Sequence, residues 1–185
     1  HRRSAAAPAR GIPMSPGSFA FIAIALFMIH EFDEIIFIRR YIDEHADDER
    51  CATEMFITAA GNYPSTESIA AGICEEFIVA TLILAIGIIL SSVETIAATF
   101  IAYALHLVAH IREALVFPGW APGSRTAVFT SPLVAATLWV AFVTFPVNYP
   151  LLAILTVMIG AALLMNLGLL HRITGKIDEL ISKAA

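Results

Sequence analysis

Two ionisable side chains four residues apart, His30 and Glu34, stand in the segment HEFDE at residues 30–34. In an α-helix this spacing places both side chains on one face. Imidazole and carboxylate groups bind first-row transition metals, and a free carboxylate nearby can act as a general base. The segment predicts a metal or acid–base site, with Asp33 as a candidate base. Glu31 points roughly 100° away from His30 around the helix and is not expected to be a ligand.

A second candidate set lies in HLVAHIRE, where His106, His110 and Glu113 follow the i, i+4, i+7 spacing of one helix face. Glu75 and Glu76 are neighbours in another apolar segment, and two neighbours cannot face one point on a regular helix. We expect Glu75 to be the ligand. Glu76 is then expected to accept hydrogen bonds, to line the opening of the site or to act as a general base.

The donors predicted for this site are nitrogen and oxygen atoms without a thiolate. This mixture suits iron, zinc or manganese, with iron or zinc favoured, and the number of groups is enough for one or two ions. Soluble di-iron bundles use glutamates and Glu-x-x-His pairs, a spacing that HIRE presents in reversed order. Cys51 and Cys74 are interpreted as packing residues. The predicted catalytic residues are Asp33 and Glu76, and the predicted metal ligands are His30, Glu34, Glu75, His106, His110 and Glu113.

Simpler interpretations of the same residues stay open. His30 and Glu34 could form a buried hydrogen-bonded pair that only fixes helix packing. Glu113 follows Arg112 near the membrane boundary, where an arginine reaches the interface easily and no ligand role is needed. His171 is either a support for a ligand or an interfacial residue at a helix C-terminus.

The composition is that of a membrane protein. Of the 185 residues, 58% are hydrophobic and 15% are charged, which is too apolar for an ordinary soluble domain. The net charge of -5 is concentrated in an acidic stretch at residues 43–50 and in carboxylates within apolar segments. No basic patch indicates a nucleic-acid partner. Membrane lipids are the expected surroundings.

We predict an all-α bundle of about five transmembrane helices, because a membrane core of about 30 Å needs roughly 20 apolar residues per helix. Short, proline-containing or polar links make sequential spans antiparallel. Residues 1–17 are interpreted as a disordered arm, processed sequence or tag remnant, residues 18–171 as the membrane domain and residues 172–185 as a tail. The spans are expected at about 18–38, 69–90, 94–117, 128–147 and 151–171.

A soluble insert at residues 42–68 separates the first two spans. Its segment ERCATEMFITAAG predicts a short amphipathic helix on the membrane surface that covers the site, and Ser65 or Thr66 is a candidate N-cap for the second span. Thr126 is a candidate N-cap for the fourth span. Arg125 is either an interfacial residue or a group that holds an anionic head group.

Lysine and arginine residues predict the orientation. One side receives eight of them and the other only Arg2, Arg3 and Arg10. The positive-inside rule then places the N-terminus outside and the C-terminus in the cytoplasm, in an inner or plasma membrane. The candidate site residues fall in one layer near the cytoplasmic side, with His30 about 12 Å inside. Each ionisable group costs about 2.5 to 3.5 kcal/mol at the membrane centre, so this layer is expected to bind something or to be internally paired.

HEFDE resembles the defining motif of the HXXEE-domain membrane proteins. His30 and Glu34 match the motif, and Asp33 replaces its first glutamate. The resemblance covers most of the chain from Phe19 to His171 and includes CEEF, HLVAHIRE and PGSRTA. It implies a small multi-span protein with functional polar residues and carries over no activity.

Three functional hypotheses follow. The first is a metalloenzyme near the cytoplasmic interface that acts on a lipophilic substrate, with oxidation favoured over hydrolysis because the carboxylate share is high; an iron enzyme would need a redox partner. The second is a metal-ion or proton transporter that uses the same groups. The third is a non-catalytic scaffold in which the polar cluster only joins helices.

Overall fold

The computed structural model describes residues 14–184, which form an all-α bundle without a strand in that range. The two 3₁₀ turns of the insert are Glu49–Cys51 and Ala60–Asn62. The α-helices are α1 Pro16–His45, α2 Met55–Thr58, α3 Thr66–Ile89, α4 Val93–Val116, α5 Ser124–Thr144 and α6 Tyr149–Ala184. The predicted arm lies mostly outside the described residues, and α1 begins at Pro16 behind an N-cap from Ser15.

Four helices, α3 to α6, are long and apolar enough to cross a membrane. They correspond to the predicted second to fifth spans, and they support a membrane location. At 30 residues, α1 is about 45 Å long and thus also sufficient, but it is not among the four. The C-terminal half of α1 carries the charged groups of the candidate site. Its passage through the membrane therefore stays a prediction.

The helix ends follow from local sequence. The Ser65 side chain accepts a hydrogen bond from Ser68 N and so provides the cap of α3, one of the two expected alternatives. Ser92 caps α4 in the same way after a tight turn. Asn148 accepts from Leu151 N at the start of α6. The first of these links brings α3 against α4, whereas α6 packs against α3 and α4.

Two sequence expectations differ from the structure. The amphipathic helix of the insert is not continuous, because the Asp48 and Glu54 side chains each cap a new short turn and restart the chain. The predicted tail from residue 172 is helical, since α6 continues without a break to Ala184. A hydrogen bond from Ser65 to Asp178 ties this extension to the start of α3.

Helix α4 lies at the centre of the bundle and packs against α1, α3, α5 and α6. A buried apolar cluster that includes Phe19, Ile96 and Phe100 fills the half of the bundle where α1 and α4 begin. Tyr103 donates a hydrogen bond to Leu26 O over 3.0 Å, which joins α4 to α1. These contacts fix the rotation of α1 and α4 relative to each other, and that rotation sets the directions of the histidines below.

Candidate metal centre

Four side chains from α1 and α4 converge on one point. His30, Glu34, His106 and His110 each offer one ligand atom, and these atoms all lie within 4.8 Å of one another. His106 Nε2 lies 3.2 Å from His30 Nε2 and 3.1 Å from His110 Nε2. Glu34 Oε1 lies 3.0 Å from His110 Nε2 and 3.6 Å from His30 Nε2. The group thus presents three imidazole nitrogens and one carboxylate oxygen.

The helical spacing seen in sequence produces this convergence. His30 and Glu34 are four apart on α1, and His106 and His110 are four apart on α4, so each helix directs its pair to the same side. The site is removed from water, with His30 0% and His110 1% exposed. Buried polar groups of this kind are normally satisfied by hydrogen bonds or by a bound ion.

The outer nitrogens of two histidines have partners that leave Nε2 free to act as a donor atom. His30 Nδ1 lies 3.1 Å from Thr126 Oγ1, which itself donates to Gly123 O over 3.0 Å. The hydroxyl is therefore placed to accept the Nδ1 proton of His30. His110 Nδ1 lies 3.0 Å from Glu113 Oε2, which is within ion-pair distance but not in hydrogen-bond geometry, so a proton on that nitrogen lies close to a carboxylate. Such outer partners fix the tautomer and ring orientation of metal-binding histidines.

The spacing of the four donor atoms fits a single transition-metal ion. With bonds near 2.1 Å, adjacent ligand atoms are separated by about 3.0 Å in an octahedron and about 3.4 Å in a tetrahedron. Four of the six separations are 3.0 to 3.6 Å and cover this range, and all six lie within 4.8 Å. Glu34 Oε1 is also a buried oxygen that accepts no hydrogen bond from the described residues. A cation at the centre would satisfy this oxygen and the three nitrogens.

Gly123 forms the wall of the site beside these donors. Its φ of 77° is in the left-handed region, and a Cβ at this position would lie 2.8 Å from Glu34 Oε1 and 3.0 Å from His110 Cε1. Gly123 occupies the N-cap position of α5, where Thr126 was expected. Thr126 lies within the first turn and contacts His30 instead. Sequence reasoning missed Gly123 because the close backbone approach depends on tertiary structure.

Asp33, expected as a catalytic base, anchors α5 to α1. Its Oδ2 accepts a hydrogen bond from Gly123 N over 2.9 Å and lies 3.5 Å from Thr126 Oγ1. A carboxylate at the N-terminus of a helix is also favoured by the helix dipole. The motif residues therefore divide into two donors, His30 and Glu34, and one anchor that holds the wall of the site.

The remaining predicted residues lie around the four donors and not among them. Glu75 Oε2 accepts a hydrogen bond from Asn166 Nδ2 over 2.8 Å and so faces α6. Glu113 contacts the outer nitrogen of His110. Glu76 lines a cavity beside the site. The structure thus brings together four of the six predicted ligands.

This cavity has a volume of about 330 Å³ and lies between α1, α3, α4 and α6. His106 lines it, so one of the four donor residues faces the cavity directly. Most of the wall is apolar. Glu31 also lines the cavity and is 2% exposed, although its position on the helix gave no reason to expect a functional role.

The insert covers the site on the side where α1 and α4 end. The Phe56 ring stacks on His110 with the ring centroids 6.3 Å apart, and Tyr63 packs against Phe56 at 5.5 Å. The Tyr63 hydroxyl lies 2.9 Å from His171 Nδ1, which links the insert to α6. Burial raises the pKa of the Glu54 carboxyl, whose side chain caps α2. These contacts exclude water from this side of the centre.

A polar cleft on the other side of α1 contains Arg125, for which an anionic head group was considered. The cleft is about 320 Å³ in volume and is also lined by Asp33 and Arg40. The Arg125 guanidinium lies over the Phe37 ring, 5.0 Å from its centroid. Arg40 forms an ion pair with Glu44. The binding of an anionic head group stays a prediction.

Comparison with known proteins gives one match. Comparisons with curated proteins and with solved structures each found no significant match. A family model described as "Protein of unknown function with HXXEE motif" matches residues 21–137, more than half of the chain. This match confirms the resemblance seen in HEFDE and covers all four donor residues. The chain belongs to the HXXEE-motif family.

Proposed function

We propose that this protein is a membrane-embedded metalloenzyme that binds one transition-metal ion and acts on a lipophilic substrate. The observation that carries the proposal is the convergence of four donor atoms on one point beside an apolar cavity. The proposed ligands are His30, Glu34, His106 and His110. Helix packing alone does not require three histidine nitrogens and a carboxylate oxygen to face one another, whereas a bound ion does.

A single ion is favoured over two. A dinuclear site would need bridging carboxylates, but Glu75 is hydrogen-bonded to Asn166 and Glu113 contacts the outer side of His110. Only Glu34 supplies a carboxylate oxygen to the convergent group. The arrangement therefore supports a mononuclear centre with three imidazoles and one carboxylate.

We favour oxidation of an apolar chain over hydrolysis. Four protein donors would fill the tetrahedral shell of zinc, whereas catalytic zinc sites keep one position open. Iron accepts more ligands and is found in oxygenases with histidine and carboxylate donors and open positions. Iron held on these residues would supply dioxygen activation, with electrons delivered by a redox partner.

The residues of the chain would provide the surroundings that such chemistry requires. The apolar cavity would hold the substrate chain beside His106. Phe56 and Tyr63 would keep water from the cytoplasmic side of the centre. Glu76, on the cavity wall, is the carboxylate that we assign as proton acceptor.

Lipid analysis by mass spectrometry tests this function. Extracts are compared from cells that produce wild-type protein, His106→Ala, Glu34→Ala or the exposed-surface control Glu67→Ala. We expect an oxidised lipophilic product in wild-type and Glu67→Ala cells that is absent from the other two. Hydrolysed lipid in wild-type and Glu67→Ala cells only would show that the reaction is hydrolysis and not oxidation. Identical extracts from wild-type and both ligand variants would contradict an enzymatic role.

A further inference from the structure

The cavity beside the candidate metal centre is long, and its two carboxylates lie toward one end. Along α1 its lining runs from Ala23 to Glu31, about 12 Å of helix. Glu76 is the first lining residue of α3, whereas Asn166 lies near the last lining position of α6, which runs antiparallel to α3. These positions all fall at the cytoplasmic end of the cavity. The remaining length is suited to an unbranched apolar chain.

The wall of the cavity reaches the outer surface of the bundle. Leu105 on α4 and Leu164 on α6 both line the cavity and are 63% and 70% exposed. Both helices are long and apolar enough to cross a membrane, so their exposed leucines face lipid in that setting. An amphiphile could therefore pass sideways from the membrane into the cavity.

Neither of the two cavity carboxylates, Glu31 and Glu76, receives a hydrogen bond from the part of the chain that the structure describes. Glu31 is 2% exposed and, within residues 14–184, forms no hydrogen bond or ion pair. Glu76 supplies a second carboxylate to the same cavity. The side-chain nitrogen of Asn166 is already used by Glu75. Buried carboxylates without donors are unfavourable, so a ligand that brings donors and positive charge would complete this end.

We infer that the cavity binds a single-chain amphiphile with a protonated amine head group, held between Glu31 and Glu76. A fatty acid would place a third carboxylate beside these two, and an alcohol would bring a donor but no charge. As a substrate, this amphiphile rests on the proposed metalloenzyme function. The binding itself does not require a metal.

Native mass spectrometry of the full chain released from mild detergent tests the binding. The protein is offered an equal mixture of dodecylamine, dodecanol and dodecanoic acid. We expect the amine to dominate the bound fraction. Glu31→Gln and Glu76→Gln should each lower amine binding about tenfold, the effect of losing a charged hydrogen-bond partner. The matched control Glu67→Gln, on the exposed start of α3, should leave it unchanged.

A second variant tests the apolar part of the cavity independently of the head-group site. Gly160 lines the cavity, and a Cβ there would meet Ala102 Cβ at 4.0 Å, so a larger side chain must extend into the free space. Gly160→Leu should reduce binding of all three amphiphiles. Equal binding of amine and alcohol to the wild type, unchanged amine binding in both carboxylate variants, or full binding by Gly160→Leu would overturn the inference.

Metal content measured on the same samples keeps the two proposals apart. Glu31→Gln should retain the metal, because Glu31 is not among the four donors. Selective amine binding by wild-type protein that contains no metal would contradict the proposed metalloenzyme but would support the amine site. Metal-loaded protein without amine preference would overturn the amine site alone.

Discussion

His30 Nε2 and His106 Nε2 lie 3.2 Å apart, although 76 positions separate the two residues in the chain. When the Thr126 hydroxyl accepts the Nδ1 proton of a neutral His30, the Nε2 atom of His30 carries no proton. His106 Nε2 can direct at most one proton to its neighbours, and His110 Nε2 lies on its other side at 3.1 Å. The proposed cation would lie between these rings and would account for both contacts.

Gly123→Ala should damage the centre although it replaces no proposed ligand. The new Cβ would lie 2.8 Å from Glu34 Oε1 and would require a left-handed backbone, which costs about 1 to 3 kcal/mol in such positions. We expect reduced metal content and a lower melting temperature. Gly72→Ala is the control, since a Cβ there meets no atom within 4 Å. Normal metal loading in Gly123→Ala would show that the wall of the site is not rigid.

Substitution of Asp33 distinguishes an anchor from a catalytic base. Asp33→Asn keeps an oxygen that can accept the Gly123 N–H, so metal content should be close to wild type. Asp33→Ala leaves that N–H buried without a partner and should cost about 1 to 3 kcal/mol of stability. Elemental analysis and thermal unfolding measure the two effects. Once product formation is established, a stable, metal-loaded Asp33→Asn protein without activity would restore the catalytic assignment.

Glu113 should change the affinity of the centre for its metal, but it should not be required for metal binding. It contacts the outer nitrogen of His110, and loss of such a partner typically weakens metal binding by about 10- to 100-fold. Glu113→Gln should show this weakening in a competition titration with a chelating dye. Glu75→Ala should bind as tightly as wild type, because Glu75 faces Asn166. Loss of all metal from Glu75→Ala would indicate that Glu75 is a metal ligand.

The insert should give stability a pH dependence through Glu54. Burial raises the pKa of this carboxyl above its ordinary value of 4.5. The protonated form therefore favours folding: its contribution is complete below pH 4.5 and is lost as the pH rises through the folded-state pKa. Glu54→Gln keeps an oxygen for the Ile57 N–H and should remove this loss. Melting temperatures of the two proteins should diverge as the pH rises; parallel curves would contradict the assignment.

Much of the fold could be predicted from the sequence. The apolar segments behind α3 to α6 are long enough to be recognised without tertiary information, and short links set their antiparallel order. The four-residue spacings of His30 with Glu34 and of His106 with His110 also indicated shared faces. Each of these features depends on local periodicity, which the sequence shows directly.

The composition of the centre depended on tertiary structure. Glu75 and Glu113 were expected in the same layer as the four donors, but Glu75 faces Asn166 and Glu113 contacts the outer nitrogen of His110. Neither contact is visible in a single sequence. The role of Gly123 needed the approach of α5 to α1. The insert differed because Glu54 caps a new turn within a pattern that predicted one continuous helix.

The most direct measurement is the metal content of wild-type protein purified in mild detergent, compared with His106→Ala, His110→Ala and Glu75→Ala. We expect about one iron or zinc ion per chain in wild type and Glu75→Ala, and none in either histidine variant; iron would support oxidation. Wild-type protein that contains no metal and takes up none when iron or zinc is supplied would contradict the metal centre. Two ions per chain would contradict the single-ion arrangement.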